Sequence, residues 1–76
     1  MRVIPTKADR LTEYDASLLS LERAAGRRGY DIDNDELWKQ LNQMVTDYQF
    51  GEIRHSPQFR NKFYALRREL GKRMGY

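Results

Sequence analysis

The chain has 76 residues, a third of them charged, no cysteine and a net charge of +3. A chain this short buries only about 60 to 65% of its unfolded surface, so residues 1 to 76 are expected to form a single domain with one small core. The absence of cysteine excludes a disulfide framework and a thiolate metal site, and it suits a reducing compartment.

The first ten residues, MRVIPTKADR, hold no apolar run of signal-peptide length, and no stretch of about 18 apolar residues is present to span a bilayer. A cytoplasmic protein without a membrane partner is expected. The charges are unevenly placed. Residues 1 to 53 carry seven Lys/Arg against ten Asp/Glu, a net of −3, whereas residues 54 to 76 carry seven against Glu69 alone, a net of +6. Such a split marks either a polyanion-binding end or two complementary surfaces that meet between subunits.

Helical periodicity runs through the whole chain, and an all-α, compact three-helix domain is predicted, with helices at about 8–28, 34–50 and 57–70. A short irregular N-terminus (1–6) precedes them, and a fraying C-terminus (71–76) follows. Residues 2 to 4, "RVI", are the only strand-like run and are too short to build a sheet.

In the first helix, Leu11, Tyr14, Leu18, Leu21 and Ala25 recur at three- and four-residue steps and form one apolar stripe. Thr6 or Thr12 is placed to cap its start, because Asp9 or Asp15 stands three residues further on. Gly26 and Gly29 favour its end. Leu19 falls off the stripe, so it is exposed or meets a partner.

The second helix has a wide apolar face, with Leu37, Leu41, Met44 and Tyr48 on one line beside Trp38 and Val45. It is expected at the centre of the core and stops at Gly51. The third helix opens on Ser56 as N-cap, with Pro57 in the first helical position, where its missing N–H costs nothing. Phe59, Phe63, Leu66, Leu70 and Met74 form its stripe.

The stretch YDIDNDEL, residues 30 to 37, puts Asp31, Asp33 and Asp35 at alternate positions, like the front half of a calcium loop. The rest of that loop fails. Glu36 stands where the turn needs glycine, and Asn42 stands where the bidentate glutamate belongs. A helix start fits every position: Asp33 as N-cap, Glu36 completing a capping box, and Ile32 stapled to Leu37. No metal and no cofactor are therefore expected.

His55 is the single histidine, and Ser56 beside it is accounted for as a cap. With no Gly-rich phosphate loop, paired-carboxylate cleft or nucleophile elbow, no catalytic residues and no small-molecule substrate are expected.

The third helix is apolar toward the core and basic elsewhere. Gln58, Arg60, Asn61, Lys62, Tyr64, Arg67, Arg68, Lys72 and Arg73 are candidate nucleic-acid contacts, since Gln, Asn and Arg read base edges and a helix start favours phosphate. The same pattern also describes a solvated charged face. Tyr14, Leu19, Trp38, Phe50 and Tyr64 supply more large apolar groups than a small core needs, which points to a docking surface for a partner or a second copy. A homodimer would pair the acidic N-terminal half with the basic helix of its mate.

The run LERAAGRRGYDIDNDEL, residues 21 to 37, resembles the small Hha/YmoA family of bacterial expression modulators. That family has Leu-Glu-Arg, six residues, an aromatic, an acidic cap region and Glu-Leu at the same spacing. TKADRL at residues 6 to 11 looks like the family's first helix start, and DYQFGEI at 47 to 53 is similar to its Asp-His-Arg-rich segment. The resemblance spans residues 6 to 53 and has departures. Two extra residues lie inside the second helix, turning later side chains by about 200°. The family's His-Arg pair is Tyr48 and Gln49 here, and a basic helix replaces its tryptophan-containing C-terminus.

The resemblance implies a protein that associates with an H-NS-type nucleoid protein and adjusts gene silencing, with Asp47 and Glu52 as acidic contacts. Leu19 and Phe50 join them as candidate partner-contact residues. The resulting expectation is a small non-catalytic regulatory protein acting through DNA or a DNA-bound partner. The alternative is a protein-only interaction module, such as an inhibitor, antitoxin or assembly adaptor, that docks through its aromatic and acidic faces.

Overall fold

The computed structural model describes residues 6 to 75; the strand-like run at 2 to 4 and most of the irregular N-terminus lie outside them. The protein is an all-α three-helix domain, with α1 at Lys7–Arg28, α2 at Glu36–Gln49 and α3 at Pro57–Arg73. A 3₁₀ turn, Ile32–Asn34, stands between the first two helices, and no strand occurs among the described residues.

Local chemistry explains most of the boundaries. Thr6 caps α1, and its hydroxyl accepts from the Asp9 N–H while the Asp9 carboxylate accepts from the Thr6 N–H. The reciprocal pair satisfies two of the donors that a helix start leaves open. It also holds the Asp9 carboxyl below the usual range, chiefly through the bond from the Thr6 backbone. Thr12 instead donates to the Ala8 carbonyl inside the helix.

Gly29 ends α1 in the left-handed region at φ 67°, where the Gly29 N–H reaches Gly26 O and the Tyr30 N–H reaches Ala25 O. Gly51 repeats the arrangement after α2 at φ 77°, with its own N–H on Tyr48 O and the Glu52 N–H on Asp47 O. A residue with a Cβ is strained in that conformation, which is why both positions favour glycine. Ser56 caps α3 by accepting from the Phe59 N–H, with Pro57 first in the helix.

The second helix departs from the expected start at 34. Residues 32 to 34 close into a 3₁₀ turn with Ile32 buried, and Asp35 is extended, so α2 begins at Glu36 with Asp35 as its N-cap. The cap and capping box assigned to Asp33 and Glu36 are therefore replaced. The Asp35 Oδ1 accepts from the Leu37 N–H at 2.8 Å, and Ile32 and Leu37 join the general core. At the other end of the chain α3 continues past Leu70 to Arg73. Gly71 is buried, Met74 packs into the core and the Arg28 guanidinium donates to the Met74 and Gly75 carbonyls.

The helices run up, down and up. Glu13 faces Tyr64 and Arg60, and Arg28 faces Met74, so α1 and α3 are parallel, with α2 antiparallel and in close backbone contact with both. Between α1 and α3 the gap is bridged by large side chains. Tyr14, 1% exposed, packs on Phe63 at 4.6 Å and on Phe59 at 5.5 Å between ring centroids. The expected docking role of Tyr14 is thereby corrected: it is the centre of the aromatic core. Leu41, Phe63 and Leu70 are fully buried beside it, and Trp38, Met44 and Leu66 pack around them.

Candidate functional site

The YDIDNDEL stretch is a structural lock. Asp35 is buried, and its carboxylate accepts from the Leu37 N–H, the Tyr30 hydroxyl at 2.5 Å and the Arg73 guanidinium at 3.3 Å. Burial pushes its carboxyl up, but the Tyr30, Leu37 and Arg73 donors outweigh burial and hold it below the usual carboxylate range. The Asp31 carboxylate accepts from the Asn34 side-chain amide. Both Asp35 oxygens are thus engaged by protein donors. Among the described residues no three His, Cys, Asp or Glu side chains gather in a way that could hold a metal ion.

The nine candidate nucleic-acid contacts do not form one surface. Arg67, Arg68 and Lys72 come together on the α1-facing side of α3, where they line an open groove of about 370 Å³ with Tyr64, Gly71 and Leu21. Its lining sets three cationic side chains beside Leu21, Gly71 and the Tyr64 ring. The Nε–H of Arg67 is buried without a hydrogen-bond partner among the described residues.

Other members are taken up internally or point elsewhere. Arg60 pairs with Glu13 at 3.5 Å and stacks over the Tyr64 ring at 5.5 Å. Tyr64 is half-buried and donates its hydroxyl to Glu13 at 2.5 Å; burial, then that bond and the Glu13 charge, push the phenol up. Arg73 serves Asp35. Lys62 lies on the opposite flank, in a shallow cleft with Gln40, Gln43, Met44 and Asp47. Gln58 and Asn61 are exposed in the first turns of α3.

The candidate partner contacts also divide. Asp47, Phe50 and Glu52 gather where α2 ends, with Phe50 72% exposed and the Asp47 carboxylate accepting from the Gln43 side-chain amide at 2.7 Å. Leu19, 47% exposed, stands apart on the outer face of α1 with Ala16, Ser20, Arg23 and Arg27.

One feature has no signal in the sequence pattern. His55 Nε2 lies 2.8 Å from the Tyr14 hydroxyl, across forty-one positions of chain, and its ring packs among Tyr14, Tyr48 and Phe59. Burial, then the charges of Arg10 and Arg60, hold the imidazole below its ordinary range, with Glu13 opposing. Around it stand Lys7, Arg10 and Arg54.

No described helix is long and apolar enough to cross a membrane. Comparison with protein-family models, with curated proteins and with solved structures finds no match for this chain.

Proposed function

We propose that this is a small non-catalytic regulatory protein that acts through DNA, with the α1–α3 groove as the electrostatic contact. The observation that carries this reading is the convergence of Arg67, Arg68 and Lys72 on one groove, with no carboxylate among the described residues that line it. Phosphate oxygens are acceptors of the required charge, and guanidinium groups take them bidentately. The half-buried Tyr64 offers an aromatic edge to the same ligand.

The resemblance of residues 6 to 53 to the Hha/YmoA family would add a DNA-bound nucleoid protein as partner. Asp47 and Glu52 support that addition by standing together at the end of α2. A protein-only module is the second reading, favoured by the exposed Phe50 and Ile53 beside those acids.

Titration of duplex DNA at two salt concentrations tests the first reading. Each phosphate contact contributes a slope of about −0.9 in log K against log salt, so replacing Arg67, Arg68 and Lys72 by Ala should flatten it by roughly 2 to 3. Absence of binding at about 50 mM salt would end the DNA reading. For the second, sedimentation of the free chain and of Phe50→Ser should differ if those apolar groups join two copies.

A further inference from the structure

After α2 the chain turns at Gly51 and runs through Ile53, Arg54 and His55 against the first turns of α1. Lys7, Arg10, Tyr48, Gly51, Arg54 and His55 there line a pocket of about 270 Å³, at the opposite end of the bundle from Lys72 and Arg73. Among the described residues no carboxylate lines it. Among the described residues neither Arg10 nor Arg54 forms an ion pair, although Glu13 and Asp35 elsewhere do. The Lys7 ammonium is held 5.5 Å from the Tyr48 ring centroid, and the bond to Tyr14 positions the His55 imidazole.

Cations gathered in this way repel one another unless an anion joins them. Two guanidinium forks, an ammonium and an imidazole offer more donors than the two oxygens of a carboxylate can use, whereas a tetrahedral dianion can accept from all of them. We propose that this pocket binds a phosphate group. The site is separate from the α1–α3 groove and does not depend on the DNA reading. Its phosphate can be free or part of a nucleic-acid backbone.

His55 reports on occupancy, because it is the single histidine. Arg10, Glu13, Lys7 and Tyr14 face it from α1, Tyr48 from α2, Arg60 from α3, and Arg54 adjoins it in the connection. Burial, then the charges of Arg10 and Arg60, favour the neutral ring, and a dianion bound beside it opposes them.

The test is an NMR titration of the His55 ring against pH in sodium sulfate and in sodium chloride of equal ionic strength. Sulfate stays a dianion throughout, so any change belongs to the protein. A saturable, sulfate-specific rise of about half a unit or more in the His55 pKa is expected. It should be lost in Arg10→Gln and Arg54→Gln and retained in Arg68→Gln. Coincident curves in the two salts, or a shift that survives the Arg10→Gln/Arg54→Gln double substitution, would overturn the proposal.

Duplex DNA then separates the sources. If it perturbs His55 in the chain lacking Arg67, Arg68 and Lys72, the phosphate is one of the backbone. Sulfate binding without any response to DNA assigns a free phosphate or phosphomonoester.

Discussion

The two ends of the bundle treat charge in opposite ways. Where α2 begins, the buried Asp35 is met by Tyr30, Leu37 and Arg73, and Arg28 reaches the last carbonyls of α3. Each of these polar groups has a partner within the chain. Where α2 stops, Lys7, Arg10 and Arg54 line one pocket with His55, no carboxylate lines it among the described residues, and Phe50 and Ile53 stand exposed. Charges satisfied inside the fold stabilise it, while charges left facing water cost little there and remain open to a ligand. The first end locks the helices together beside the Arg67–Lys72 groove; the second leaves Lys7, Arg10 and Arg54 without an ion-pair partner among the described residues.

Substitutions should separate the ends by stability. Asp35→Ala has the largest expected effect, about 2 to 4 kcal/mol, because it removes a cap and strands the Tyr30 hydroxyl and the Leu37 N–H. Urea unfolding measures it, and a loss below about 0.5 kcal/mol would remove Asp35 from the lock. Tyr14→Phe should cost roughly 1 kcal/mol through the lost bond to His55, while leaving the aromatic packing in place. Arg73→Ala should cost about 0.5 to 1 kcal/mol, since its side chain is half exposed and solvent screens the pair. At the open end Arg54→Ala should fall within about 0.5 kcal/mol of the parent. A larger loss there would break the contrast.

Acidification should act on the two ends in sequence. His55 is held below its ordinary 6.5, so the unfolded chain takes up its proton first. Stability is complete above that value and declines as pH falls through the lower pKa of the folded state. Asp35 is held below its ordinary 3.8, so its contribution is full above that value and is lost at still lower pH. Thermal melts between pH 7 and the acid limit should show both declines. His55→Gln should remove only the upper one, and Asp35→Ala should shrink the lower to the part that the Thr6-bonded Asp9 contributes.

Much of the fold was legible because its signals are local. Ser56 with Pro57, Thr6 with Asp9 and the glycines after α1 and α2 act within a few residues, and the apolar stripes need only a helical period. The sequence pattern sets the start of α2 two residues before Glu36, and the reason is physical. Asp33 and Asp35 are equivalent as caps by residue type, and what separates them is Arg73, thirty-eight positions beyond Asp35, together with the burial of Ile32. Likewise Gly71 resembles a helix stop in sequence, yet it is buried inside α3, where the helix continues past it.

The candidate site was legible in composition and not in geometry. An excess of basic residues in the C-terminal third is plain from the sequence, and so is the helix that carries them. Which of them are available is a matter of what lies opposite. Glu13 occupies Arg60, Asp35 occupies Arg73, and Arg67, Arg68 and Lys72 are left round a groove that Leu21 of α1 completes. Residue identity sets charge, helix propensity and the caps, since these act over a turn or two of chain. Pairing, burial and the position of His55 against Tyr14 were decided only by the tertiary structure, because contacts between residues forty or more positions apart leave no periodicity to read.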